Sequence, residues 1–598
     1  MSFAVDGGLY AELVKNRSFE FPDPLMGWTK TASSGNAEIL DRDPFSEAQP
    51  HYLRLEHGAG VSNEGFRGIG VREKETYIFS VQVRAAKSHP VLYVQLVGSG
   101  GRSLAEARLS RIPRRWTRYT ATLRTTATDA KARLNLTVEG AGAADVDMVS
   151  LFPQKTWRNR PGGLRADLAQ MIADLKPGFI KFPGGFSTEG RDLESHYQWK
   201  STIGDITERR LAISPWNKFS ARPMPDYYQS LGFGFFEYFQ LSEDLGAEPL
   251  PVLNPGMAAM FSGKIAPMDQ LAPYVQDALD LVEFANDPPT SAWGGMRARM
   301  GHPAPFHLKM LRIGNEQTGP GYFERYRQFA TAMAAKHPEI KLIGGTGPRP
   351  DGADFDLAWE NLLAAKADIV DEHSHNQPDW FYGGVTHFDR VSRDGPKVMM
   401  GEWAAHTEPG LVNSNNRNNL AAALAEAAFM TGLERNADLV VMSAYAPLLA
   451  NADAWQWKPS LIWFDSLQTY GTPSYYVQKL FGENRGDVVL PVQLQGGATQ
   501  RRFYASAARD ERSGEIIIKA VNPLSHPVTA RIKLAGAHIG LRAQAMILTG
   551  AAPTDENSFE QPRKVYPVQE PLAVAGSEFD YTFRPYALTV LRLSDETR

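Results

Sequence analysis

The chain has 598 residues, 43% hydrophobic and 22% charged, and its 63 basic side chains against 67 acidic ones leave a net charge of −4. That length exceeds one hydrophobic core and implies roughly two to four domains, while the charge balance gives no general attraction to nucleic acid or to an anionic membrane. No run reaches the ~18 apolar residues of a membrane span, and the absence of cysteine excludes disulfides, thiolate nucleophiles and cysteine-bound metal.

The start, MSFAVDGGLYAEL, lacks a basic stretch followed by an apolar core, so no signal peptide is visible. The expectation is therefore a cytoplasmic protein, or a secreted or periplasmic one if upstream residues are missing. Residues 1–20 are expected to pack with a barrel: Met1–Val5 as a short first strand, then Leu9, Leu13 and Phe19 on an interrupted helical pattern. Residues 21–155 change texture. Short alternating runs at His51–Glu56, Tyr77–Ala85, Val91–Val97, Trp116–Arg124, Arg133–Val138 and Val146–Phe152 predict an antiparallel β-sandwich inserted early in the barrel. Its Trp28, Tyr93 and Trp116 either stack on sugar rings or fill the sandwich core.

From 156 to 480 the pattern becomes strand alternating with amphipathic helix. Leu164, Leu168, Met171, Ile172 and Leu175 mark one helix face, and Gly178–Gly185 follows as a strand with its turn. Six more strands are expected at Pro249–Asn254, Lys309–Glu316, Ile340–Gly345, Asp368–His373, Lys397–Glu402 and Asp438–Tyr445. Repeated βα units of this length predict a (β/α)8 TIM barrel. From 481 to 598 alternation returns, as at Glu515–Asn522 and Ala587–Leu593, and predicts a C-terminal β-sandwich. The fold class is multidomain, α/β plus all-β.

Two segments concentrate the chemistry. Leu311-Arg312-Ile313-Gly314-Asn315-Glu316 and Val398-Met399-Met400-Gly401-Glu402-Trp403 are apolar runs that end in a glycine and a glutamate. A buried parallel strand that delivers a carboxylate to its C-terminal edge reads this way, and that edge is where barrel enzymes work. With the Gly184-Gly185 strand counted as the second, Glu316 closes strand four and Glu402 strand seven, which face each other across a barrel mouth. Two converging carboxylates are the general acid and the nucleophile of glycosidic cleavage, with retention expected at a separation of about 5–5.5 Å and inversion at about 6.5–9.5 Å. Asn315 supplies an amide for a sugar hydroxyl.

Asp371-Glu372-His373-Ser374-His375 has the residue types of a metal cluster. Strand alternation leaves His373 and His375 on one side with no third ligand, so His373 is read as substrate-facing, His375 as a rim residue, and no metal is expected. Gly344–Gly347 lacks the glycine spacing and following helix of a phosphate loop and reads as a strand-end turn. Glu237, Glu243 and Asp244 are read as solvated or salt-bridged. Glu189 lies in a loop at the catalytic edge and is a candidate substrate contact.

Long blocks then carry a resemblance: GGLYAELVKNRSFE, FPGG, FFEYFQLSEDLGAEPLPVLN, WGGMRARMGHPAPFHLKMLRIGNE, VDEH, MGEWA, YAPLLAN and WKPSLIWFD…TPSYYVQKLF. In this order and nearly end to end, the chain resembles glycoside hydrolase family 51, the α-L-arabinofuranosidases, in the form with an N-terminal carbohydrate-binding-like module. The resemblance implies Glu316 as acid/base, Glu402 as nucleophile, retention, Asn315 as a substrate ligand, and Trp403 and Trp457 as walls of the sugar pocket. It implies a carbohydrate substrate such as arabinan or arabinoxylan, no cofactor, and a homo-oligomer as in many members. Three departures stand out: Phe186 where members place Asn or Cys, His375 where many have tyrosine, and no Phe-Glu-Asp strand with its substrate-contacting glutamate before GGLYAEL. The alternatives are an endo-acting glucanase or xylanase on the same scaffold, or a catalytically impaired carbohydrate-binding protein.

Overall fold

The computed structural model describes residues 5–31, 34–213, 228–259, 262–410, 413–455, 457–496, 502–574 and 576–595. At its centre seven parallel strands form one sheet: Phe179–Phe182, Glu248–Leu253, Met310–Ile313, Lys341–Gly345, Ile369–Asn376, Lys397–Ala405 and Val440–Tyr445. Each pairs with the next in chain order, as in a barrel wall built from consecutive βα units. Helices Phe235–Leu245, Ala272–Asn286, Pro320–Lys336, Ala353–Ala364 and Leu420–Arg435 supply the crossovers. All seven strands expected from the sequence are present. The third of them stops at Ile313, short of the expected Glu316, because Gly314 turns the chain with φ of 76°.

The strand period of two fills the interior in layers. Phe179, Leu250, Met310, Ile343, Ile369, Met399 and Met442, one from each strand, pack into an apolar floor. Two residues further along several of these strands come Lys181, Arg312 and Asp371, so a charged layer lies directly above the floor. Between the first and last strands, which do not pair with each other among the described residues, runs a cavity of about 480 Å³. It extends from Lys176 and Arg485 to Glu316 and Glu402, and Val5 lines it. Residues 1–4 of the expected first strand lie outside the described residues.

The segment expected to be helical at 7–20 is instead a chain of turns. Gly7 takes φ of 68°, and Asn16 and Phe19 also have positive φ. Polar anchors replace a helix ladder: the buried Glu12 accepts from the backbone N–H groups of Val14 and Leu151, each at 3.0 Å, and Asn63 bonds both polar backbone atoms of Lys15. The segment thus ties the barrel to the sandwich.

That sandwich spans Trp28 to Pro153 and has antiparallel sheets of six and five strands. Leu53, Phe79, Leu92, Leu134, Leu136 and Val146 fill its core. Each of its three singled-out aromatics has a neighbour on its ring. Trp28 is buried against Phe19, Arg108 covers Tyr93 at 4.1 Å, and Arg84 covers Trp116 at 4.6 Å. The module docks on the barrel through the Gln49 side chain, which donates to the Thr207 carbonyl at 2.8 Å.

The C-terminal unit, Val488 to Asp595, has a six-stranded and a two-stranded sheet. Lys519 is fully buried and pairs with Glu434 on the helix that follows the Glu402 strand, and Tyr504 stacks on Tyr382 at 5.6 Å. Elsewhere Glu237 is bound by Arg209, and Asp244 by Arg158 and Arg160, as expected of structural acids.

Candidate active site

Glu402 owes its aim to an irregularity. The register between the Ile369–Asn376 and Lys397–Ala405 strands shifts at Met400–Glu402, where Glu372 faces Met400 and His373 faces Glu402. Gly401 is the extra residue, and a β-bulge re-aims the side chain that follows it. A Cβ at 401 would lie 1.9 Å from Asp371 Oδ1, so only glycine leaves room for that carboxylate. Glu402 then turns inward to Lys181, whose ammonium donates to Oε1 at 2.8 Å and lies 4.0 Å from Asp371.

Glu316 arrives from the opposite wall. The guanidinium of Arg312, fully buried, binds Asp371 and donates to the carbonyls of Gly314 and Asn315, which holds the strand end in place. His373 stands between the two glutamates. Its Nδ1 is 2.9 Å from Glu316 Oε1 and its Nε2 3.3 Å from Asp371 Oδ2. One donor atom from each of Glu316, His373 and Glu402 lies within 4.8 Å of the others.

Charge divides the site. Burial opposes ionisation of Glu402, but the charges of Lys181 and His373 and the Lys181 hydrogen bond outweigh it and hold the carboxyl well below the usual range. Asp371 is likewise held low against burial by Arg312, His373 and Lys181. Burial alone would lower His373, yet Asp371 and Glu402 raise it to about 9, so the ring is a cation that donates to both Asp371 and Glu316. Glu189 goes the other way: burial, then the charge of Glu316, push it up to about 7. A trio of donors this close also has the geometry of a cation site. Here the Lys181 ammonium and the His373 imidazolium already meet its negative charge.

The cavity walls include Lys181, Asn315, Glu316, His375, Glu402 and Trp457. His375 and Trp457 pack edge to face at 5.4 Å, and each lies within 6 Å of His406. Burial, then the charge of His406, lower His375 to about 3, so it is neutral. Two expected contacts face elsewhere. Trp403 follows the inward Glu402, so strand alternation turns it outward, fully buried against Phe381 and Phe429 with its ring N–H on Ser443. Glu189 lies behind Asn315, not in the cavity lining, and is 1% exposed.

The sequence assigns no role to Lys181 or Arg312, and Asp371 enters it only as part of a candidate metal cluster. Their signal was a charge in the middle of an apolar strand, as in Phe179-Ile180-Lys181-Phe182 and Leu311-Arg312-Ile313. Asp371 shares the inward parity of His373, two residues on, and the alternation rule applied to the histidines includes it.

Three family models match the chain. One for a carbohydrate binding domain covers 11–144, one for the alpha-L-arabinofuranosidase 1 domain 171–393, and one for the alpha-L-arabinofuranosidase C-terminal domain 401–587. An extracellular exo-alpha-L-arabinofuranosidase of Streptomyces chartreusis is 42% identical over 82% of the chain, and the match spans 59% of that protein's length. Alpha-L-arabinofuranosidase 1 of Arabidopsis thaliana is 34% identical over 99% of the chain and 87% of its own length. Among solved structures, an arabinose-bound α-L-arabinofuranosidase designated MgGH51 is 32% identical with a TM-score of 0.90, covering 99% of this chain and 95% of its own. The Thermotoga maritima arabinofuranosidase, 19% identical over 72% of this chain and 90% of its own with a TM-score of 0.57, shares the fold.

Proposed function

The chain belongs to glycoside hydrolase family 51, the α-L-arabinofuranosidases, and on that premise we propose that it releases terminal non-reducing α-L-arabinofuranosyl groups from arabinose-bearing oligosaccharides and polysaccharides with retention of configuration. The observation that carries this reading is the unequal setting of two carboxylates within 4.8 Å of one another. That spacing suits direct attack and leaves no room for an intervening water. Glu402, ionised beside Lys181, attacks the anomeric carbon as the bond to the leaving oxygen breaks. Glu316 protonates that oxygen, then takes a proton from the water that displaces Glu402. When Glu402 becomes an ester and loses its charge, Lys181 keeps a carboxylate neighbour in Asp371. The Oδ1 of Asn315 is buried without a partner among the described residues and is a ready acceptor for a sugar hydroxyl. End-directed action is supported by the Streptomyces relative, an exo-alpha-L-arabinofuranosidase.

The test is hydrolysis of p-nitrophenyl α-L-arabinofuranoside beside the corresponding xyloside and glucoside. The arabinofuranoside is expected to be preferred. Glu402→Ala should lose at least ~10⁴-fold in kcat, and Glu316→Ala about 10²–10⁴-fold. Azide should restore turnover to both, with inverted glycosyl azide from the first and retained from the second. The same anomer from both variants would overturn the assignment, and full activity in Glu402→Ala would end it.

A further inference from the structure

Glu189 is a buried carboxyl that the steps above do not use. It ends a single helical turn, Phe186–Glu189, flanked by Gly185 at φ 58° and Gly190 at φ 73°. A Cβ at 190 would lie 2.4 Å from the backbone nitrogen of His196, so the exit from that turn is fixed. Asn254, just past the end of its strand, donates to the carbonyls of Thr188 and Glu189 at 3.0 and 3.1 Å and ties the same turn to the barrel wall. The side chain is aimed by this frame. Oε1 accepts from the Asn315 amide at 3.0 Å and from the Glu316 backbone N–H at 3.2 Å, while Oε2 is buried with no partner among the described residues. A carboxyl shielded from the cavity and bonded to two successive site residues is placed to hold them, not to touch sugar.

We propose that Glu189 is a positioning residue for the glycosidase reaction: from behind the cavity wall it orients the Asn315 amide and the Glu316 backbone. This rests on the reading of Glu316 as acid/base. The charges acting on Glu189 are those of Glu316 and, less strongly, Glu402. The other groups bonded to this turn are the neutral amides of Asn254 and Asn315, whereas Lys181 and His373 bond to Glu402 and Glu316.

The experiment compares Glu189→Gln with Glu189→Ala. Gln keeps an acceptor oxygen for Asn315 and removes the charge, whereas Ala removes both. The Ala variant should lose about a hundredfold in kcat/KM, as expected for a misplaced catalytic group. Gln should recover most of that loss, and the Ala defect should fall on kcat with KM little changed. A Gln variant as impaired as Ala, with raised KM in both, would make Glu189 a direct sugar contact and overturn the proposal. So would two variants with wild-type profiles. A readout without substrate separates this from failure of the family reading: the side-chain amide ¹⁵N–¹H signals of Asn315 should move in Glu189→Ala and return toward their wild-type positions in Glu189→Gln. Unmoved signals in Glu189→Ala overturn the proposal even if wild type hydrolyses no arabinofuranoside.

Discussion

Two layers of the same barrel interior, two residues apart on shared strands, are built on opposite principles. The floor is seven apolar side chains, one per strand, that need only shape and volume. The layer above holds Lys181, Arg312, Asp371 and Glu402, equally enclosed, and none of these charges is tolerable without the others. The floor tolerates repacking, whereas the charged layer works as one unit. It also explains how a strand that is apolar below can present an ionised nucleophile above: burial excludes competing water while paired cations keep the carboxylate charged.

The sharpest way to break the contrast is Asp371→Ala, which strips Arg312 and His373 of their shared partner. Orphaning a buried charge should cost about 3–5 kcal/mol of unfolding free energy in a denaturant titration, and a loss below ~1 kcal/mol would show that the layer is not interdependent. Lys181→Met follows. Losing the ammonium should cut kcat/KM about 10²-fold. Because Lys181 depresses Glu402, its removal lets that carboxyl take up a proton at higher pH, so the acidic limb of the profile should move up. A limb that stays in place would assign the depression to His373 alone. The smallest effect is expected in the floor: Ile369→Val should cost about 1 kcal/mol of stability and leave kcat unchanged. A rate loss there would mean the layers are mechanically coupled.

Much of this was legible before the structure. The barrel, both sandwiches and the two glutamates follow from period, spacing and strand-end position, because those are local properties of the chain. The errors arose where partners distant in sequence decide. Residues 7–20 show helical spacing yet form turns, since Glu12 finds its donors near Leu151. The resemblance implies Trp403 as a pocket wall, but it directly follows the inward Glu402 and a period of two sends neighbours to opposite faces. Glu189 was placed at the correct edge, but only the fold shows that Asn315 stands in front of it.

Gly401 has a consequence for how this site can change. The space where its Cβ would sit is occupied by the carboxylate of Asp371, so the two positions interlock across neighbouring strands. No single substitution at 401 is accommodated while Asp371 stays, and replacing Asp371 first strands Arg312. Each one-step path therefore crosses a damaged intermediate. Libraries aimed at new sugar specificity are better directed at His375 and Trp457, on the cavity wall, than at this lock beneath the nucleophile.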